Sequence, residues 1–145
     1  MNWRERISGL TKAATFFPPA RAELVESASA SLGCKLPADL AELLVQSNGV
    51  EGEYALGLVW PVERIVADNA SFRAHAEFPA LYMPFACCLF FADAGNGDQF
   101  FFPVLEGVAS QDSVFAWNHE NDSRVWVAPS LSLYLEWWLS GRIQL

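Results

Sequence analysis

Side chains of types that do chemistry gather in three places in this sequence. The segment Asp93-Ala94-Gly95-Asn96-Gly97-Asp98 crowds two carboxylates and an amide into a tight turn, the donor chemistry of a divalent-cation site. It lacks the alternating acidic or amide positions and the distant Glu of a calcium-binding helix–loop–helix. Asx side chains bonding their own backbone account for the same residues, so no metal is expected there. His119-Glu120 sets a group that titrates near neutrality beside a carboxylate, the requirement of a general acid–base pair. No Ser or Cys sits in a recognisable nucleophile elbow, and His75 precedes Glu77 without the His-Glu-x-x-His spacing of a zinc site. A loop histidine bonding backbone groups is the expectation. Cys34, Cys87 and Cys88 make no Cys-x-x-Cys. On one strand Cys87 and Cys88 would point to opposite faces, and buried, reduced thiols are expected of both. No catalytic centre and no cofactor follows from these groups.

What remains is charge. Nine basic against seventeen acidic residues leave a formal net charge of −8. This excludes phosphate-backbone binding, which needs clustered Lys and Arg, and it favours a basic partner. Glu51, Glu53, Asp93, Asp98, Glu120 and Asp122 all fall in predicted loops. If those loops share one edge of a sheet, they form a negative patch able to steer a basic protein; the competing reading is a solvated rim. Trp60, Trp117, Trp126 and Trp137 would line an aromatic cleft or, in a chain this rich in aromatics, fill the core.

The elements that must position these groups centre on an antiparallel hairpin. Phe85 to Phe91 and Gln99 to Phe102 are aromatic, β-favouring runs joined by the Ala92–Asp98 turn. Both runs are continuously apolar rather than alternating, which predicts helices on both faces. Before them, Trp3, Ile7 and Leu10 give a short helix over 2–12. A second helix starts at about Ala20 with Leu24, Ala28 and Leu32 inward and Gly33 as its cap. A third opens at Pro37 with Leu40, Leu43 and Leu44 inward and ends at Asn48-Gly49. Glu51-Gly52-Glu53 is an exposed acidic turn, 55–60 a strand stopped by Pro61, and Val62, Ile65, Asn69 and Phe72 mark a fourth helix. After the hairpin, Ser110-Gln111-Asp112-Ser113 turns the chain into a strand Val114–Trp117, 118–123 is a polar loop, and 124–127 is a last strand. Ser130 then N-caps a helix carrying Leu131, Tyr134, Leu135 and Trp138 on one stripe. With 145 residues, 52% of them hydrophobic, the expectation is one α+β domain: N-terminal helices, a mainly antiparallel central sheet and a C-terminal closing helix. The longest apolar run, Leu81 to Phe91, holds Pro84 and is too short to span a bilayer, so no membrane and a cytoplasmic location are expected.

The order Leu36-Pro37-Ala38-Asp39-Leu40, Leu43-Leu44, Ser47-Asn48-Gly49, then Phe90-Phe91-Ala92-Asp93-Ala94-Gly95-Asn96-Gly97-Asp98, then Trp117-Asn118-His119-Glu120 resembles the SUKH superfamily, its Smi/Knr branch in particular. The likeness runs over about 20–139. It implies a non-enzymatic binding domain: in bacterial members an immunity protein that neutralises a cognate toxin, often a nuclease, and in fungal relatives a regulator of cell-wall synthesis or a scaffold. The partner so implied is a basic toxin domain, with no nucleic acid bound by this chain.

Overall fold

The computed structural model describes residues 1–74, 82–105, 108–109 and 113–145. His75, Glu77, Leu81 and the Ser110-Gln111-Asp112 turn lie outside them. First come α1 (Trp3–Leu10), β1 (Thr15–Phe16), α2 (Ala22–Leu32) and α3 (Ala38–Leu44). Then follow β2 (Val50–Glu51), a single helical turn (Glu53–Ala55), β3 (Gly57–Val59) and α4 (Val62–Ala74). The second half is β4 (Cys88–Asp93), β5 (Gln99–Leu105), β6 (Val108–Ala109), β7 (Val114–Trp117), β8 (Arg124–Ala128) and α5 (Leu131–Leu139). This is an α+β fold, helices leading and a helix last.

The larger sheet runs β4-β5-β7-β8, with β6 paired to β5, and every pairing in it is antiparallel. A smaller antiparallel sheet, β1-β2-β3, lies beside β4, where the Trp60 N–H donates to the Phe91 carbonyl at 2.7 Å. The hairpin is apolar on both sides because both sides are covered. Phe72 of α4 lies 5.0 Å from Phe90 and 5.8 Å from Trp117, between ring centroids. On the other side Tyr134 of α5 lies 5.3 Å from Phe91 and 4.8 Å from Phe100. Phe90 and Phe91, adjacent on the strand, face opposite sides, and a bulge between Phe90 and Ala92 leaves Phe91 without a β5 partner while its carbonyl accepts from Trp60. Pro103 sits in β5 where its missing N–H costs nothing, past the last β7 partner (Phe101↔Phe115) and before the first β6 partner (Val104↔Ala109).

Several expected details shift. In α2 the inward residues are Val25, Ala28 and Leu32, while Leu24 is 40% exposed, because the helix rests on α4 one residue around from the expected stripe. The third helix ends at Leu44, not at Asn48. Gly49 does take a left-handed φ of 92°, but Asn48 caps α4 instead: its Oδ1 accepts from the Val62 N–H at 2.8 Å. The fourth strand begins at Cys88 rather than Phe85. Cys87 therefore lies before the ladder and is exposed, correcting the expectation of two buried thiols; Cys34 and Cys88 are buried.

Candidate interaction surface

The turn between β4 and β5 is built as its residue types predict. The Asn96 Oδ1 accepts from the Asp98 N–H at 3.0 Å, and Gly95 and Gly97 take φ of 97° and 96°. What the carboxylates do there is different from ligating an ion. Asp93 receives both arms of Arg64, at 2.8 and 3.0 Å, and the same guanidinium bonds Asp68 at 3.0 Å and stacks 4.0 Å over the Trp60 ring. Asp98 is 6% exposed, and its Oδ1 accepts from both the backbone N–H (3.1 Å) and the ring Nδ1 (2.7 Å) of His119. Beside a carboxylate the Nδ1 carries the proton. Among the described residues no group of His, Cys, Asp and Glu is placed to hold a metal ion.

His119 is thus oriented by Asp98, not by its neighbour Glu120. A carboxylate-held imidazole is the geometry of a general base. No hydroxyl or thiol among the described residues is bonded to its Nε2, and its carbonyl accepts from the Tyr82 hydroxyl at 3.0 Å. The Asp98–His119 pair joins the β4–β5 turn to the loop after β7. The signal for it was register: Gln99 pairs with Trp117, so the residues just beyond each, Asp98 and Asn118-His119, must meet.

Asp122, at φ 59°, closes the loop after β7 from the other side. It accepts from the Met83 N–H and the Trp117 Nε1, each at 2.8 Å, and from Arg124 at 3.0 Å. Burial pushes its pKa up, but the hydrogen bonds from Met83, Trp117 and Arg124 and the charge of Arg124 outweigh that and hold the carboxyl below its ordinary value. Arg124 also bonds the carbonyls of Met83 and Pro84.

The remaining acids behave otherwise. Glu51 at the end of β2 is half-buried, and Glu53 and Glu120 are exposed. None of the three has an ion-pair partner among the described residues. The 51–56 segment abuts the β4–β5 turn: a Cβ on Gly95 would lie 3.4 Å from Leu56, and one on Gly57 2.8 Å from Asp93. The 51–56 segment, the β4–β5 turn and the loop after β7 thus touch in that order, with Asp93, Asp98 and Asp122 tied internally and Glu53 and Glu120 exposed. Glu51 and Asp93, expected in loops, are instead the last residues of β2 and β4, and Glu51 is half-buried. Of the four tryptophans named above, Trp60 and Trp117 are core, and Trp126 is half exposed against Trp137 at 6.3 Å.

A cleft of about 440 Å³ opens beside Glu51, walled by Phe17, Pro18, Pro19, Val50, Val59 and Pro61. Another of about 320 Å³ lies beside Glu53 and Tyr54, floored by Leu56, Leu58, Trp138 and Leu139. No helix among the described residues is long and apolar enough to cross a membrane. In comparison with known proteins, a family model described as SMI1 / KNR4 family (SUKH-1) matches residues 19–137. A search of the curated proteins finds no match.

Proposed function

The chain belongs to the SMI1 / KNR4 family (SUKH-1), and from that membership we propose that it is a cytoplasmic immunity protein, neutralising a basic, nuclease-type toxin domain by occluding it. One observation carries the proposal: most of the arginines are engaged by groups of this chain, while Lys12, Arg21 and Lys35 are exposed. Arg4 bonds the Gln46 and Phe17 carbonyls, and Arg6 pairs with Glu136. Arg64 and Arg124 hold Asp93 and Asp122, Arg73 bonds the Leu32 and Cys88 carbonyls, and Arg142 lies over Trp137. Glu53 and Glu120 are exposed, Glu51 is half-buried, and none of the three has an ion-pair partner among the described residues. A toxin that grips a polyanion needs a basic surface, and an acidic contour competes for it and speeds encounter. An interface of ordinary size, about 1,600 Å² in total, fits the loop end of a domain this small. Free cysteines suit a reducing compartment.

The test is co-expression with any candidate toxin domain of basic charge encoded by a neighbouring gene. Restored growth when the two are made together, and a stable complex of the purified pair, is the expected result. Indifference to every such neighbour overturns the reading and moves the weight to an intracellular scaffold that uses the same surface.

A further inference from the structure

The acidic end carries a side chain that does nothing for the fold. Tyr54 is 100% exposed, and it sits at φ 57° with Ala55 following at φ 58°. Two successive non-glycine residues in the left-handed region are disfavoured by their own Cβ atoms. The turn is firm nonetheless. The Gly52 N–H donates to the Leu56 carbonyl at 2.8 Å and the Leu56 N–H to the Glu53 carbonyl at 3.1 Å. Gly52 itself is buried, with space for a Cβ only 3.2 Å from Leu58. All of this scaffolding lies on either side of Tyr54 and none of it engages the ring. Backbone strain at two successive residues, beside an aromatic ring held wholly in water, leaves that ring free for a contact outside the molecule.

Resting on the immunity reading above, we propose that Tyr54 is the anchor of the interface: its ring enters an apolar socket on the basic partner, while Glu51 and Glu53 receive Lys or Arg side chains around that socket. Tyrosine suits the task, giving large contact area with few rotors to immobilise and a hydroxyl for the rim. The clefts beside Glu51 and beside Tyr54 flank the ridge and take partner side chains, the first offering proline and valine walls to an arginine or lysine stem whose charge meets Glu51. A second copy of this chain is a poor occupant, since each copy carries −8 and would present the same carboxylates.

Two measurements decide it. Without any partner, Tyr54→Gly removes a ring that touches nothing and relieves the left-handed strain, so its urea midpoint rises or stays level; a fall shows that the ring supports the fold and overturns the proposal. With a purified, inactivated toxin domain that the co-expression test identifies, Tyr54→Gly weakens binding by about thirtyfold, mostly through faster dissociation, as an interface anchor does. Tyr54→Phe stays within about threefold, the ring rather than the hydroxyl supplying the contact. Wild type binding tightly while Tyr54→Gly binds equally well removes the anchor and leaves the immunity reading intact. Wild type failing to bind that protein overturns both.

Discussion

The Asn69 side chain in α4 holds both backbone polar groups of Phe90 in β4. Its Oδ1 accepts from the Phe90 N–H at 2.9 Å, and its Nδ2 donates to the Phe90 carbonyl at 2.9 Å and to the Ile65 carbonyl at 2.7 Å. β4 pairs with β5 on one side only, so at its outer edge a helix amide does the work of a missing strand. One residue later Trp60 takes over, bonding Phe91. The edge is thereby closed to other chains, and the bulge is fixed between two clamps.

Replacing Asn69 by Leu keeps the volume and orphans a buried N–H and C=O. The expected cost is about 3 kcal/mol in urea unfolding, since each stranded group forfeits its hydration. Ser71→Ala, on the exposed side of the same helix, should change stability by less than about 0.5 kcal/mol. Equal effects at the two positions would mean that the clamp carries no stability.

The Asp98–His119 pair makes a spectroscopic prediction. Asp98 fixes the neutral ring as the Nδ1–H tautomer, so nitrogen-resolved NMR of the wild type should show that tautomer. Asp98→Asn should lose the preference while the fold persists. Gly97→Ala tests the same packing from the other side. A Cβ there would sit 2.8 Å from the His119 Cε1, at a φ of 96° that side chains disfavour, so a loss of about 2 kcal/mol is expected.

How much of this was legible in the sequence depended on whether the deciding interaction was local. The hairpin, the inward Leu40, Leu43 and Leu44, the Gly33 cap and the Ser130 cap follow from propensity and period, and stand as expected. The sequence pattern puts Leu24 inward because Leu and Val are equally apolar, and only the approach of α4 selects Val25. Cys87 reads as a strand residue because nothing in an apolar run says where the ladder begins. For the site, sequence located the acidic loops but not which carboxylates are engaged: Arg64 lies 29 residues from Asp93, and His119 lies 21 from Asp98. Asn69 falls in the inward stripe with no local reason for an amide there. The reason is the edge of β4, visible only once the sheet is assembled.

Acid should weaken the loop after β7. Asp122 has a folded pKa below its unfolded value near about 3.9. Its contribution is therefore present above that unfolded value and lost as pH falls through the folded one. The stability gap between wild type and Asp122→Asn, measured by urea midpoints, should be full at pH 6 and shrink steadily below about pH 4. A gap independent of pH would show that the hydrogen bonds to Met83 and Trp117 matter and the charge does not.

The thiols give the last prediction, because two adjacent cysteines have opposite fates. Their sulfurs lie 3.8 Å apart, yet Cys87 is exposed and Cys88 is buried in the ladder. Burial pushes the Cys88 thiol up to about 12, against the pull of Arg124. Only the thiolate attacks an alkylating reagent, so at pH 8 Cys88 is protected twice, by access and by protonation. Iodoacetamide should add a single group to the native protein and reach Cys34 and Cys88 only after denaturation; intact mass and peptide mapping read both. Cys87→Ser should abolish the native adduct. Rapid labelling of Cys88 in native protein would mean that the first residues of β4 open readily. That would place the weak point of the fold at Arg73, whose bond to the Cys88 carbonyl at 3.1 Å helps hold that strand end shut.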